Sequence, residues 1–322
     1  MILITGAAGF IGSCLTARFN ELGMEKLMLV DDFSIEVKRS NWEEKKYTQL
    51  IERDKFFNEA NENIWTTIDF VYHLGARTDT TDSNKQIFDE LNLDYSKKLW
   101  DICCKYKIPL VYASSAATYG EGELGFDDLL SNIPNFKPLN EYAISKHAFD
   151  RWALSQNQQP PNWAGLKFFN VYGPNEYHKS RMASVVMHAF KQISATGSMN
   201  LFRSHHPDYK DGEQLRDFIY VKDVCEICVG FMGKPVFGDI YNLGTGQART
   251  FIDLVNLTFQ ALGKKANINW IDTPIDIRDK YQYFTEAKMD KLLTLFPEYQ
   301  FKTIEEGVAN YVKAYLVEGN YY

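Results

Sequence analysis

The chain is poor in cysteine, with five among 322 residues: Cys14, Cys103, Cys104, Cys225 and Cys228. An odd, scattered set argues against a disulfide framework. Cys225 and Cys228 form a C-x-x-C pair, but no second ligand pair follows. The apolar stretch 221–232 reads as a helix with buried thiols, so no metal site is expected. Positive charge is also short: 35 Lys and Arg stand against 42 Asp and Glu, a net charge of -7. That argues against the broad basic surface of a nucleic-acid-binding protein. No apolar run approaches the ~18 residues of a spanning helix, so no membrane partner is expected. No basic leader or cleavage site precedes the first strand at residues 1–5. These absences together read as a soluble cytoplasmic protein.

What is present is 45% apolar residues, enough for one large or two smaller cores, and a short pattern, Tyr142-x-x-x-Lys146. Four residues apart, the two side chains share a helix face. A free tyrosine titrates near pH ~10. An ammonium beside it, together with a cofactor's positive charge, favours the phenolate and makes a base for a substrate alcohol. Alone the pattern is weak, since any helix can carry a surface aromatic over a solvated charge.

Its surroundings strengthen it. Residues 1–5 form a strand, followed by Gly6-x-x-Gly9-x-x-Gly12 and a helix that ends near Gly23. Strand, glycine loop and helix is the context of a dinucleotide fingerprint, in which a pyrophosphate sits on the helix N-terminus. A second strand at 27–30 ends in Asp31-Asp32, about where an acid takes the ribose hydroxyls. Lys38 and Arg39 follow, as holders of a 2′-phosphate or as ordinary loop charges. A helix is expected near residues 42–51. A strand at 68–74 ends in Gly75-Ala76-Arg77-Thr78, and residues 88–106 read as a long helix carrying Asn92. A strand at 109–113 runs into Ser114-Ser115, whose hydroxyls suit a substrate alcohol. Residues 140–155 form the helix of the Tyr/Lys pair, and 164–169 another strand.

The alternation predicts an α/β, doubly wound, mostly parallel sheet. Beyond Pro174 the rhythm changes. Helices are expected at 182–195, 250–262 and 303–316, a polar loop at 204–214, and returns to the sheet at 216–223 and 240–243. The domain reading is a Rossmann domain from 1–171 and 216–247, with a smaller, discontinuous α/β substrate domain from 172–215 and 248–322.

The Gly6–Gly12 loop, Ser114-Ser115, Tyr142/Lys146, Asn170-Val171-Tyr172-Gly173-Pro174 and Arg216-Asp217-Phe218 occur in this order. The sequence thereby resembles the nucleotide-sugar epimerases and dehydratases of the extended short-chain dehydrogenase/reductase family. A narrower set, His178-Lys179 with Met182-Ala183-Ser184-Val185, and Tyr281-Gln282 with Phe284-Thr285, resembles the members that act on ADP-linked heptose. The resemblance implies an isomerase that uses bound NADP, with NAD as the alternative. It implies an ADP-heptose substrate epimerised at carbon 6 for the lipopolysaccharide core, and a homo-oligomer, with a five-subunit ring among the options.

It also implies roles. Ser115, Tyr142 and Lys146 would be catalytic. Gly6, Gly9, Phe10, Ile11, Gly12, Asp31, Asp32, Lys38, Leu74, Gly75, Ala76, Arg77, Thr78, Asn92 and Val171 would hold the cofactor, with Tyr142, Lys146 and Lys179 beside them. Asn170, Arg181, His188, Phe202, Arg203, Ser204, His205, Arg216 and Tyr281 would face the nucleotide sugar, with Ser115. Lys179 reads either as a second base, serving the epimer that Tyr142 cannot reach, or as a phosphate-binding cation. A 4-epimerase or 4,6-dehydratase is the nearest rival, although Ala116 and Ala117 after Ser115 lack the acid that water elimination wants. A non-catalytic NADP-binding protein ranks below both, because Tyr142 and Lys146 are both present.

Overall fold

The computed structural model describes residues 1–60, 62–235, 238–274 and 282–322. Seven parallel strands form the central sheet: β1 (Ile2–Thr5), β2 (Leu27–Asp31), β3 (Gln49–Glu52), β4 (Phe70–His73), β5 (Leu110–Ser115), β6 (Ala164–Phe168) and β10 (Asp239–Leu243). Their order is β10-β6-β5-β4-β1-β2-β3, and every pairing is parallel. β1, β2, β4, β5 and β6 are buried throughout, which follows from runs such as Leu-Met-Leu-Val. A strand covered on both faces needs apolar residues at successive positions, not alternate ones. The order reverses between β1 and β4, so a crevice opens at their carboxyl ends.

Helices α1 (Phe10–Glu21), α2 (Tyr95–Tyr106), α3 (Glu141–Ser155) and α5 (Val221–Phe231) belong to this layered body, and α1 packs on α5. The expected C-x-x-C pair lies inside α5, where Cys225 and Cys228 are free, buried thiols. The smaller lobe has its own core. Helix α4 (Val185–Thr196) packs on α6 (Phe251–Ala261) and on the two-stranded sheet of β8 (Met199–Phe202) and β12 (Ile268–Ile271). Ala189, Ile193, Met199, Leu201, Val255 and Phe259 fill it. Capping boxes start α6 at Thr250 and α7 (Ile304–Asn310) at Thr303, which fixes both helix starts from sequence.

Two local expectations fail. Residues 42–51 are not helical: a 3-10 turn (Glu36–Asn41) leads into β3. The free edge of β2 takes Gln49–Glu52 in parallel register, and that pairing outweighs a weak helical spacing of Trp42, Leu50 and Ile51. The stretch from Arg216 does not return to the central sheet. It forms β9 (Leu215–Tyr220) in a separate three-stranded sheet, between β7 (Asn170–Tyr172) and β11 (Ala248–Thr250), and turns helical at Val221.

Candidate active site

The crevice holds a cleft of about 590 Å³. Gly6, Gly9, Phe10, Ile11 and Gly12 form one wall. Gly6 has φ 71°, and a Cβ there would lie 2.6 Å from the Gly75 nitrogen. A Cβ on Gly12 would lie 2.1 Å from the Gly6 carbonyl oxygen. Only glycine lets the loop come this close to the neighbouring strand end and to the helix. Gly9 caps α1 with no side-chain acceptor, and no acid occupies the first turn. The positive end of the helix is thus left facing the cleft. A glycine cradle at a helix N-terminus, beside a cleft of this size, fits a dinucleotide pyrophosphate.

At the end of β2, Asp31 is 7% exposed and accepts from the Ala8 amide at 2.9 Å, so one carboxylate oxygen fastens the glycine loop. Its other oxygen meets Lys38 Nζ at 3.2 Å. Asp32 turns to Ser34 and stands 3.9 Å from Arg53. Asp31, Asp32, Lys38 and Arg53 all line the cleft. Arg53 escaped the sequence reading because β3, which places it at the cleft, was overlapped by the helix expected at 42–51. His178 and Met182, singled out only as motif residues, and Tyr95, not singled out, also line the cleft.

Leu74, Gly75, Ala76, Arg77 and Thr78 form the opposite wall. Asn92 is completely buried in a π-helical turn (Asp89–Asp94) just before α2. It does not line the cleft. Its side chain accepts from the Arg77 amide at 2.7 Å and donates to the Arg77 carbonyl at 3.0 Å, so it holds the wall from behind. Asn92 Nδ2 also donates to Ser145 Oγ at 2.9 Å, which donates to the Tyr142 carbonyl at 2.7 Å. Thr5, His73 and Ser96 brace the same wall: His73 Nδ1 meets Thr5 Oγ1 at 2.7 Å and Nε2 meets Ser96 Oγ at 2.8 Å. Burial and the Lys146 charge hold His73 down to about 3, so it is neutral.

Ser115 ends β5, and its hydroxyl accepts from the Ala117 amide at 3.1 Å. Asn140 caps α3 through the Ala143 amide at 2.9 Å, and the helix stacks Tyr142 over Lys146. The Ser115 side chain lies close enough to act on the Tyr142 phenol. Burial raises the Tyr142 phenol above its ordinary value, and the Ser115 contact lowers it in part. The lowering expected from Lys146 is not made by the protein alone, because Lys146 Nζ donates to the Ala113 carbonyl at 2.8 Å. Burial brings Lys146 down to about 8, opposed by Asp150 one turn further along α3. Asp150 is itself locked. Lys167 Nζ and Ser114 Oγ both lie 2.7 Å from one of its oxygens, and Tyr112 donates to the other at 3.0 Å.

Lys179 enters the cleft from a 3-10 segment (Tyr177–Met182), with its Nζ 5.4 Å from the Phe10 ring centroid. Burial lowers its pKa, and Glu176 opposes the shift. The other residues expected around a sugar are more dispersed. Asn170 and Arg181 are exposed, Val171 is half-buried in β7, and His188 Nε2 lies 3.2 Å from the Arg181 carbonyl. Phe202 ends β8. Ser204 donates its amide to Asp211 at 2.8 Å, His205 donates its amide to Tyr283 at 3.1 Å, and Arg203 is exposed. Arg216 is buried and donates to the Leu215 and Gln282 carbonyls. Tyr281 lies outside the described residues. Among the described residues no cluster of metal-ligating side chains occurs, and no helix is long and apolar enough to cross a membrane.

A glycine-loop cleft at the switch point of a parallel sheet, beside a Ser/Tyr/Lys group, defines a dinucleotide-dependent enzyme. The chain belongs to the NAD dependent epimerase/dehydratase family, whose model matches residues 2–244. It is 43% identical to the ADP-L-glycero-D-manno-heptose-6-epimerase of Fusobacterium nucleatum over 332 aligned positions, covering 100% of both chains. It is 44% identical to the enzyme of the same name from Nitratidesulfovibrio vulgaris, covering 98% of each. Among solved structures it is similar to Helicobacter pylori ADP-L-glycero-D-manno-heptose-6-epimerase, with a TM-score of 0.77 and 28% identity over 97% of this chain and 95% of that one. The family expected from the motifs is the family found.

Proposed function

We propose that the chain epimerises carbon 6 of an ADP-linked heptose, interconverting the D-glycero and L-glycero forms with bound NADP, as a step toward the lipopolysaccharide core. The observation that carries this reading is a lysine on the wall of the dinucleotide cleft that is separate from the Tyr142/Lys146 pair. Lys179 is held by a different element from the Ser115/Tyr142/Lys146 group, and its pKa is lowered by burial. Inverting a secondary alcohol requires proton transfer on two faces of one carbon, and a single base reaches only one of them well. The names of the relatives at 43–44% identity supply the substrate class.

When bound, the dinucleotide supplies transient oxidation and re-reduction of the sugar carbon, with no net redox change. The protein supplies the rest. The glycine loop and the α1 N-terminus hold the pyrophosphate, and Asp31 fastens that loop through Ala8. Lys38 and Arg53 offer two cations beside the adenosine ribose, which favours a 2′-phosphate despite Asp31 and Asp32. Ser115 orients the sugar hydroxyl, and Tyr142, supported by Lys146, takes its proton in one epimer. Lys179 does so in the other. Arg216 suits a diphosphate by its paired donors, and in the same reading the protomers assemble as a homo-oligomer.

The test is incubation of the protein, with its cofactor, with ADP-D-glycero-D-manno-heptose. Appearance of the L-glycero epimer by NMR supports the reading, and its absence from cofactor-loaded protein overturns it. The dinucleotide released on denaturation is expected to be NADP. Lys179→Met is expected to slow the single-turnover half-reaction from one epimer at least tenfold more than from the other.

A further inference from the structure

A lysine inside a parallel sheet is unusual. Lys167 lies in β6 with its side chain fully buried, and so is Asp150, its partner from α3, at 2.7 Å. Taking two charges out of water costs much of what their attraction returns, so apolar residues of similar size would often give an equally stable core. What the ion pair adds is direction. An ammonium has three protons to give and no lone pair. Lys167 gives one to Asp150 and one, at 2.6 Å, to the Thr118 hydroxyl. Its charge also lies over the Tyr119 ring, 5.2 Å from the centroid.

Thr118 is itself fully buried, in the 3-10 turn (Ala116–Tyr119) that follows β5. A hydroxyl has one proton. Because the ammonium can only donate, the Thr118 proton goes to its other partner, the Ser115 carbonyl, at 2.7 Å. That carbonyl belongs to the last residue of β5, where extended backbone (φ -150°, ψ 144°) gives way to the turn. The Ser115 hydroxyl accepts from the Ala117 amide at 3.1 Å, which leaves its own proton free for the site. Thr118 and Ala117 thus hold both the backbone and the side chain of Ser115 from within one turn. Asp150 completes the frame by accepting from Ser114, the preceding residue, at 2.7 Å. Neither Lys167 nor Thr118 lines the cleft.

We propose that Lys167 and Thr118 are positioning residues for Ser115: the buried ammonium, anchored on Asp150, commits the Thr118 proton to the Ser115 carbonyl and so fixes the direction of the Ser115 hydroxyl beside Tyr142. Each bond of such a relay polarises and strengthens the next. The proposal rests on the catalytic role given to Ser115 above.

The test is a double-mutant cycle. Thr118→Val keeps the shape of the side chain and the Lys167–Asp150 pair but removes the relayed proton. It is expected to slow single turnover from both epimers about tenfold or more at saturating substrate, with cofactor content unchanged. Thr118→Ser, which restores the hydroxyl, is expected to recover most of the rate. In a Ser115→Ala background, Thr118→Val is expected to add nothing, because the two residues act as a unit. Full additivity, or no recovery by serine, overturns the proposal. The Ala117 amide reports the position of Ser115 independently of activity. Its hydrogen exchange, followed by NMR, is expected to quicken about tenfold in Thr118→Val and to return in Thr118→Ser; unchanged exchange overturns the proposal. If Ser115→Ala is as active as the unaltered protein, the catalytic reading of Ser115 fails, and the exchange rate alone decides the positioning claim. If Thr118→Val does not fold, Lys167→Met combined with Asp150→Asn removes both charges together. That variant is expected to melt close to the unaltered protein and to show the same faster exchange, and unchanged exchange in it overturns the proposal.

Discussion

Two lysines belong to this site, one buried in the core and one half-buried on the cleft wall, and they are held in opposite ways. Lys146 stands on a regular helix, one turn from Asp150, and that carboxylate is saturated by Lys167, Ser114 and Tyr112. Lys179 stands on a loop with positive-φ residues, and Glu176, three residues before it, is held by the Ser184 amide and hydroxyl. Burial lowers both lysines and a nearby acid opposes the shift in both. One environment is part of the core and shares the stability of the fold. The other is assembled by segments distant in sequence and can be altered without disturbing the sheet. The geometry therefore separates a lysine fixed in the core from one on an irregular loop, the second base of the proposed mechanism.

The comparison breaks first if Tyr142 can be removed cheaply. Tyr142→Phe is expected to lower steady-state epimerisation by about 10²–10⁴-fold, with cofactor content unchanged by absorbance. A small loss in both directions would mean that Lys179 carries the chemistry alone. Asp150→Asn comes next. It leaves Lys167, fully buried, without its counter-charge, and denaturant melts are expected to show a loss of about 3–5 kcal/mol. Glu176→Gln is expected to cost clearly less, and equal losses would erase the distinction between the two environments.

A third contrast is in pH. Support from Lys146 needs the ammonium, which is lost as pH rises through about 8. The rate from the Tyr142-dependent epimer is expected to fall over that range, and Lys146→Arg, which cannot deprotonate, to remove that limb from whatever activity survives. The smallest effect concerns stability in acid. His73, on the Lys146 side, is held to about 3 by burial, against roughly 6.5 in an unfolded chain. The unfolded chain binds a proton that the folded one refuses, so its contribution is complete above about 6.5 and declines as pH falls toward 3. Melts at pH 7 and 4.5 are expected to differ less in His73→Gln than in the unaltered protein.

Much of this was legible because the signals are local. The buried strands announce themselves as unbroken apolar runs. The glycine loop lies between a strand and a helix, and Thr250 and Thr303 cap their helices in sequence-readable boxes. What escaped depended on contacts that no short window contains. β3 exists because β2 offers an edge, and misreading it concealed Arg53. β9 pairs with β7 and β11, which come from distant parts of the chain, so its strand character did not reveal its sheet. Asn92 was recognised by position, but its work, holding Arg77 and Ser145 from within the core, needs coordinates to be seen. Glu176, 1% exposed, was not singled out at all; nothing in sequence marks a carboxylate that tertiary packing will bury.

The strand order also carries a consequence for synthesis. Six strands of the central sheet are complete once Phe168 has emerged, but β10, which covers the outer edge of β6, begins only at Asp239. Roughly 70 residues must be added first, taking several seconds at ~5–20 residues per second. Throughout that interval the β6 edge displays unpaired amides and carbonyls, a template for pairing with neighbouring chains. Aggregation of the nascent chain, rather than loss of the finished fold, is thus the hazard that this topology builds in. It is greatest in crowded polysomes, where identical β6 edges emerge side by side.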